Sequence, residues 1–423
     1  MLRIDRLCIY VIIFGLISLI PSIDRIKFLD ELSVMALGCI AFIDCIFNNA
    51  WRKYSALWIV MAILAFYAIY SIAYVNNNVP EAILTDWVIE QKPYIPLLVL
   101  LGIGPKLNHV DRRNIKIICW INAAICVIAL LGGSTLTRPI LFHTTYGGNI
   151  IFISSIYILY CSIDSHGQIS NTTIKHVVTL LICGLLCTRS KYYGIFIISL
   201  YFIFVYKPGV TKHLTLPHIA TLCTLLLVIL SVSWSKINYY FISGNAVGTS
   251  FDPTVIDSFA RPVLYTTGWF ILWDYFPFGS GLASLATYAS QIWYSDIYYQ
   301  YGINQVHGLS QKNPAFICDA YYPSLAQFGF IGLILFIIYW CYIYGFLRKL
   351  IRKNPILYKY PFIIGSLIIC FVLIECIAGN AITQNIGVVS FMLLGLICAN
   401  ATHTKAIHVE STNTYSSLIK RKI

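Results

Sequence analysis

Hydrophobic residues fall in long blocks along this chain. Runs at 7–23, 32–48, 55–74, 84–104, 114–132 and 148–163 each approach the roughly 20 apolar residues that a membrane-crossing helix needs. Similar runs follow at 214–233, 323–346, 360–379 and 386–400, with short polar connectors between most of them. The block at 176–206 is long for one span and short for two, and Arg189, Ser190 and Lys191 interrupt it near the middle. The pattern predicts an all-α polytopic membrane protein, with residues 1–423 forming a single membrane domain. The start, MLRIDRLCIYVIIFGLISLI, has the basic head and apolar centre of a secretory signal. No small-residue cleavage site follows it and many more apolar runs do, so it reads as the first span.

The distribution of charge fixes the expected count, because cytoplasmic connectors of membrane proteins collect Lys and Arg. If 176–206 is two short helices turning at Arg189–Lys191, there are about 12 spans with both termini cytoplasmic. Most of the 29 basic residues then lie inside, and Arg25, Lys27, Lys92, Arg138, Arg189, Lys191, Lys236, Arg261 and Lys312 lie outside. Reading the block as one helix inverts everything after it and exports most of the later basic residues. The two-helix reading therefore wins. It puts a large periplasmic loop at 235–322, between the ninth and tenth spans, and a polar cytoplasmic tail at 401–423. The loop is rich in Tyr, Trp and Phe, which argues against disorder.

Composition agrees: 58% of residues are hydrophobic and 11% charged, far from the globular norm. The net charge of +12 is explained by orientation, without nucleic acid. Of the 14 cysteines only Cys318 lies in the long hydrophilic loop, so neither a disulfide framework nor a thiolate metal cluster is indicated. There is no phosphate-binding glycine loop, no dinucleotide fingerprint and no metal-ligand motif, and the expected cofactor set is empty.

Basic residues held on the outer side are not there to set orientation. Arg25 and Lys27 lie among Asp24, Asp30 and Glu31, and Lys92 follows Asp86 and Glu90, so solvated pairing accounts for these three. Arg189, Lys191 and Arg261 are embedded in apolar sequence with few acidic neighbours. Each alone could reach up to lipid headgroups. Three on one face point to an anion site, because a charge at bilayer depth costs about 2.5–3.5 kcal/mol unless it is paired or wet.

The segment FARPVLYTTGWFILWDYFPFGSGL has the same character. Pro262 suits a helix start, and Pro277, Gly279 and Gly281 end the pattern. About 15 residues at 1.5 Å each give roughly 22 Å, short of the roughly 30 Å hydrocarbon core, so this reads as a short interfacial or re-entrant helix. Arg261 adds a full charge to a helix end that already attracts anions. Asp274 is about 220° around the helix from Arg261, which leaves Arg261 free for a ligand. Further on, Asp296, His307 and Asp319 accompany a run of aromatics. Such rings stack on sugars, and equally they favour membrane interfaces. Asp319, just before a span, is a better candidate base than Asp252 or Asp257. Glu375 and Asp44 lie near span ends, where an acid need have no function.

Four stretches, TRPILFHTTYGGN, LCTRSKYYGIF, SFARPVLYTTGWFILWDYFPFGSGL and CDAYYPSLAQFGFIG, occur in that order around the large outer loop. Their order and setting resemble the bacterial O-antigen polymerase and O-antigen ligase superfamily of membrane glycosyltransferases. In the second stretch the family's usual Arg position falls on Lys191, with Arg189 two residues earlier. In the fourth, Cys318 and Asp319 stand where ligases carry a His-containing pair, which favours the polymerase. A non-enzymatic flippase of lipid-linked glycans is the rival from another class.

The resemblance implies that a glycan on undecaprenyl pyrophosphate is passed to the next lipid-linked repeat unit at the outer face of a bacterial inner membrane. It implies Arg261, Asp319 and Arg189 as catalytic residues. Lys191, Arg138, His307, Trp273, Tyr265 and Asp274 would bind substrate. No metal is required, and the expected partners are the lipid-linked oligosaccharide and polymer, membrane lipids and a chain-length regulator protein.

Overall fold

A computed structural model of the chain describes residues 4–21, 28–206 and 260–401, with isolated helical positions at 224, 227, 231 and 234. Arg25, Lys27, Lys236, Asp252, Asp257, most of the ninth expected span and the tail beyond 401 lie outside the described residues. The elements are helical throughout. In chain order they are α1 (Ile4–Ser18), α2 (Leu29–Asn48), α3 (Ser55–Tyr70), α4 (Pro80–Ile89), α5 (Ile95–Ile103), α6 (His109–Leu131), α7 (Gly133–Leu141), α8 (Thr144–Cys161), α9 (Asn171–Gly184) and α10 (Ser190–Leu200). Beyond the undescribed stretch come α11 (Ala260–Asp274), α12 (Tyr288–Ile292), α13 (Ile297–Gln300), α14 (Gly329–Lys353), α15 (Lys359–Glu375) and α16 (Asn385–Ala401).

Four helical stretches are long and apolar enough to cross a membrane: Trp51–Val75, His109–Leu131, Tyr322–Lys353 and Lys359–Ala378. That is fewer than the expected 12, and local chemistry accounts for the shortfall. The 84–104 run breaks into α4 and α5 at Glu90–Tyr94, where Pro93 lacks an N–H and disfavours helical geometry at Lys92. Helix α2 carries Asp30, Glu31 and Asp44. The 176–206 block does divide into two helices, Asn171–Cys187 and Ser190–Val205, each too short to count. The turn between them is made by Thr188 in the left-handed region, at φ 54°.

The core centres on α8, which is buried almost all round and packs on α6 and α9. A helix apolar on every side belongs inside a bundle. Lys92 differs from the expected solvated pair. It is 5% exposed and bonds Asp30 at 2.7 Å and Glu31, while Asp86 and Glu90 lie buried elsewhere. Asp44 accepts from Asn48, Lys53 and Tyr54, the arrangement of a helix-terminal acid with a structural job.

Residues 260–322 fold as a lobe with its own apolar cluster, including Leu264, Ile271, Leu285, Tyr298 and Ile317. Polar bonds fasten this lobe to the end of the α3 stretch and to α4. Leu282 N donates to Ser71 Oγ at 2.7 Å, Ala283 N to the wholly buried Asp86 at 2.8 Å, and Asn78 donates to the Ala283 and Trp293 carbonyls. The Pro277-to-Gly281 exit meets the start of α14 backbone to backbone. Gly279 at φ 85° and Gly329 at φ 63° face each other so closely that a Cβ on Gly279 would stand 2.3 Å from Gly329 N. Gly281 N then donates to Gln327 O at 3.0 Å.

Candidate functional site

Helix α15 ends at Glu375 and runs into a single tight turn, Cys376–Ala378, whose carbonyls need partners. Residues distant in sequence supply them. Tyr321 N donates to Cys376 O at 3.1 Å, Tyr265 OH to Ile377 O at 2.9 Å, and Lys191 Nζ to Ala378 O at 2.8 Å. A cation at a helix C-terminus also opposes the negative end of the helix dipole. The α9–α10 turn, the α11 helix and the Asp319–Tyr322 segment thus converge on one short stretch.

Lys191 is engaged twice. Its Nζ bonds Glu375 Oε2 at 2.7 Å, and Asn149 Nδ2 donates to the same oxygen at 2.8 Å. Glu375 is 3% exposed, so this is a buried ion pair on α15, and Lys191 serves it as counterion. Arg261 is not free either, contrary to the expectation from helix geometry. Its Nη2 is hydrogen-bonded to Asp319 Oδ2 and its Nε donates to Asp319 O at 3.3 Å. The helix argument did separate Arg261 from Asp274, which accepts from Tyr301 at 2.6 Å, but it could not see a partner 58 residues away.

Arg189 differs from both. Its Nε donates to Thr144 Oγ1 at 3.1 Å and its Nη2 contacts His143 Nε2 at 2.7 Å. Thr144 is uncharged, and so is His143 when its imidazole is neutral. Burial lowers the His143 pKa, as do Arg189 and Lys191 beside it, while the Asp319 charge works in the opposite direction. His143 therefore feels both halves of the site. Burial pushes Tyr265 up to about 12, with Arg261 opposing, so it stays a neutral donor.

Other expected residues stand apart. Trp273 is exposed beside Trp269 on the outer face of α11 and meets Phe330. Arg138 lies exposed in the last turn of α7, and the His307 ring packs edge-on to Phe316. The Gly-Asn pair of TRPILFHTTYGGN lies inside α8, a turn past its start. Sequence reasoning passed over His143 and gave Asn149 no partner, although both stand in that quoted stretch; an imidazole next to a helix start was the available signal. Among the described residues no group of three or more His, Cys, Asp or Glu could hold a metal ion.

An apolar groove of about 370 Å³ opens between α3, α5 and α14, lined by Ile63, Tyr67, Leu98, Leu325, Phe336 and Tyr339 among others. Tyr321, two residues after Asp319, also lines it. No protein-family model matches this sequence, and no curated protein matches it.

Proposed function

We propose that this chain is a polysaccharide polymerase of a bacterial inner membrane, joining undecaprenyl-pyrophosphate-linked repeat units at the outer face. The observation that carries this reading is the gathering of Arg189, Lys191 and Arg261, from two separate elements, at the end of α15 beside the Asp319 segment. Releasing undecaprenyl pyrophosphate develops negative charge, and guanidinium groups held in place can stabilise it. The twelve-span topology with both termini cytoplasmic belongs to this proposal, since it puts the cluster at the outer face. The apolar groove offers room for a polyprenyl tail, and the Tyr-rich lobe offers faces for sugar rings.

The geometry changes two roles. Lys191 anchors Glu375, so Arg189 is the cation of that turn available to a phosphate. Asp319 already holds Arg261; a pyrophosphate would replace it there, which makes it a counterion for the empty site. In cells, Arg261→Ala is expected to leave the protein inserted and to yield lipid A core carrying at most one repeat unit. A normal ladder of long chains in that variant would overturn the assignment. Polymer accumulating on the lipid carrier in cells lacking the chain would point to a ligase, and transport of repeat units without elongation in vesicles would point to a flippase.

A further inference from the structure

The reaction needs a group to take the proton of the attacking hydroxyl, and both carboxylates at the cluster are engaged: Glu375 by Lys191 and Asn149, and Asp319 by Arg261 on its side chain and its carbonyl. His143 has the opposite situation. It precedes α8, is partly covered yet still open to solvent, and its Nε2 faces the Arg189 guanidinium at 2.7 Å. A guanidinium has only donors, so Nε2 is the acceptor and the proton of the neutral ring belongs on Nδ1. Thr145 N also donates toward Nδ1 at 3.3 Å, capping α8; a neutral ring can accept from only one of these two donors, and the shorter Arg189 contact assigns Nε2 as that acceptor.

We propose that His143 is the general base for the acceptor hydroxyl, and that Arg189, which now occupies its Nε2, moves to the departing pyrophosphate. The proposal rests on the polymerase reading above. In the step, the hydroxyl oxygen bonds to the anomeric carbon of the donor sugar and its proton goes to Nε2. The bond from that carbon to the pyrophosphate oxygen breaks, and the electron pair leaves with the pyrophosphate, whose charge Arg189 meets.

Three features make the exchange feasible. Among the described residues, Arg189 gives up Thr144 and a neutral imidazole, so a dianionic phosphate competes with no carboxylate there for it. Lys191 stays on Glu375 and does not follow. The charged groups that act on the ring are Arg189, Lys191 and Asp319, and burial with the two cations keeps it unprotonated near neutral pH. That is the protonation state a base requires.

The test uses His143→Gln, which retains a hydrogen-bond acceptor for Arg189 but cannot take up a proton at neutral pH. In liposomes with undecaprenyl-pyrophosphate-linked oligosaccharide extracted from host membranes, His143→Gln is expected to lose about 100- to 10,000-fold in rate. Wild-type rate should fall on the acid side with an apparent pKa below the ordinary imidazole value of about 6.5, a limb missing from the variant's residual activity. Binding of inorganic pyrophosphate, followed by calorimetry, should be unchanged in His143→Gln and weaker by about tenfold or more in Arg189→Gln. Near-wild-type turnover in His143→Gln with the acid limb intact would overturn the base assignment while leaving the polymerase reading in place. No elongation by the wild type would overturn both.

Discussion

At the level of single residues, charge around the end of α15 is sorted by partner. Lys191 and Arg189 lie two apart, so sequence spacing gives them equal standing as anion ligands. Their surroundings separate them: Lys191 meets a carboxylate that is 3% exposed, and Arg189 meets a threonine and an imidazole. Removing one member of a buried pair strands the other charge. Glu375→Ala should therefore lower stability by about 3–5 kcal/mol, read as thermal unfolding in detergent. Replacing both partners, as in Glu375→Leu with Lys191→Met, should recover most of the loss. If Glu375→Ala unfolded with the wild type, the pair would have no structural role and Lys191 would return as a phosphate ligand.

Among the elements, α11 shows what local pattern can and cannot say. Its length, its apolar character and the break after it follow from residues within one segment, and the observed helix has the expected 15 residues. Where it docks depends on the Gly279–Gly329 crossing, between residues 50 positions apart. Gly279→Ala puts a Cβ against Gly329 N, Ala326 O and Gln327 O and forces a non-glycine residue to φ 85°. The left-handed conformation alone costs about 1–2 kcal/mol, and the clash adds to it. Limited proteolysis should cut the 260–322 lobe faster in Gly279→Ala than in the wild type. An unchanged cleavage rate would mean that the lobe is held without this crossing. The α4–α5 break is the converse case: Pro93 was visible in the sequence, but the apolar run around it masked its effect.

For the whole molecule, helices of unequal length have to be reconciled with one membrane thickness. Four stretches satisfy length and composition by themselves, and shorter apolar helices such as Asn171–Cys187 and Ser190–Val205 accompany them. The proposed twelve-span arrangement predicts that alkaline phosphatase inserted at the exposed Lys312 is active, while a green fluorescent protein fused at the C-terminus fluoresces in the cytoplasm. Activity at the C-terminal site would invert the later half of the chain and remove Arg261 and Asp319 from the outer face.

The sequence by itself determined the helical, apolar character of the chain, the division of 176–206 into two helices, the short α11 and the candidate cations. Each is a property of neighbouring residues: hydropathy over a window, a charge within a run, a proline or glycine at an end. Only the tertiary structure decided the pairings. Arg261 met Asp319, Lys191 and Asn149 both met Glu375, and Arg189 met His143, in each case across at least 45 positions of chain. A charge near a helix end advertises that it needs a partner, but packing brings that partner from elsewhere, and local spacing carries no record of which one arrives.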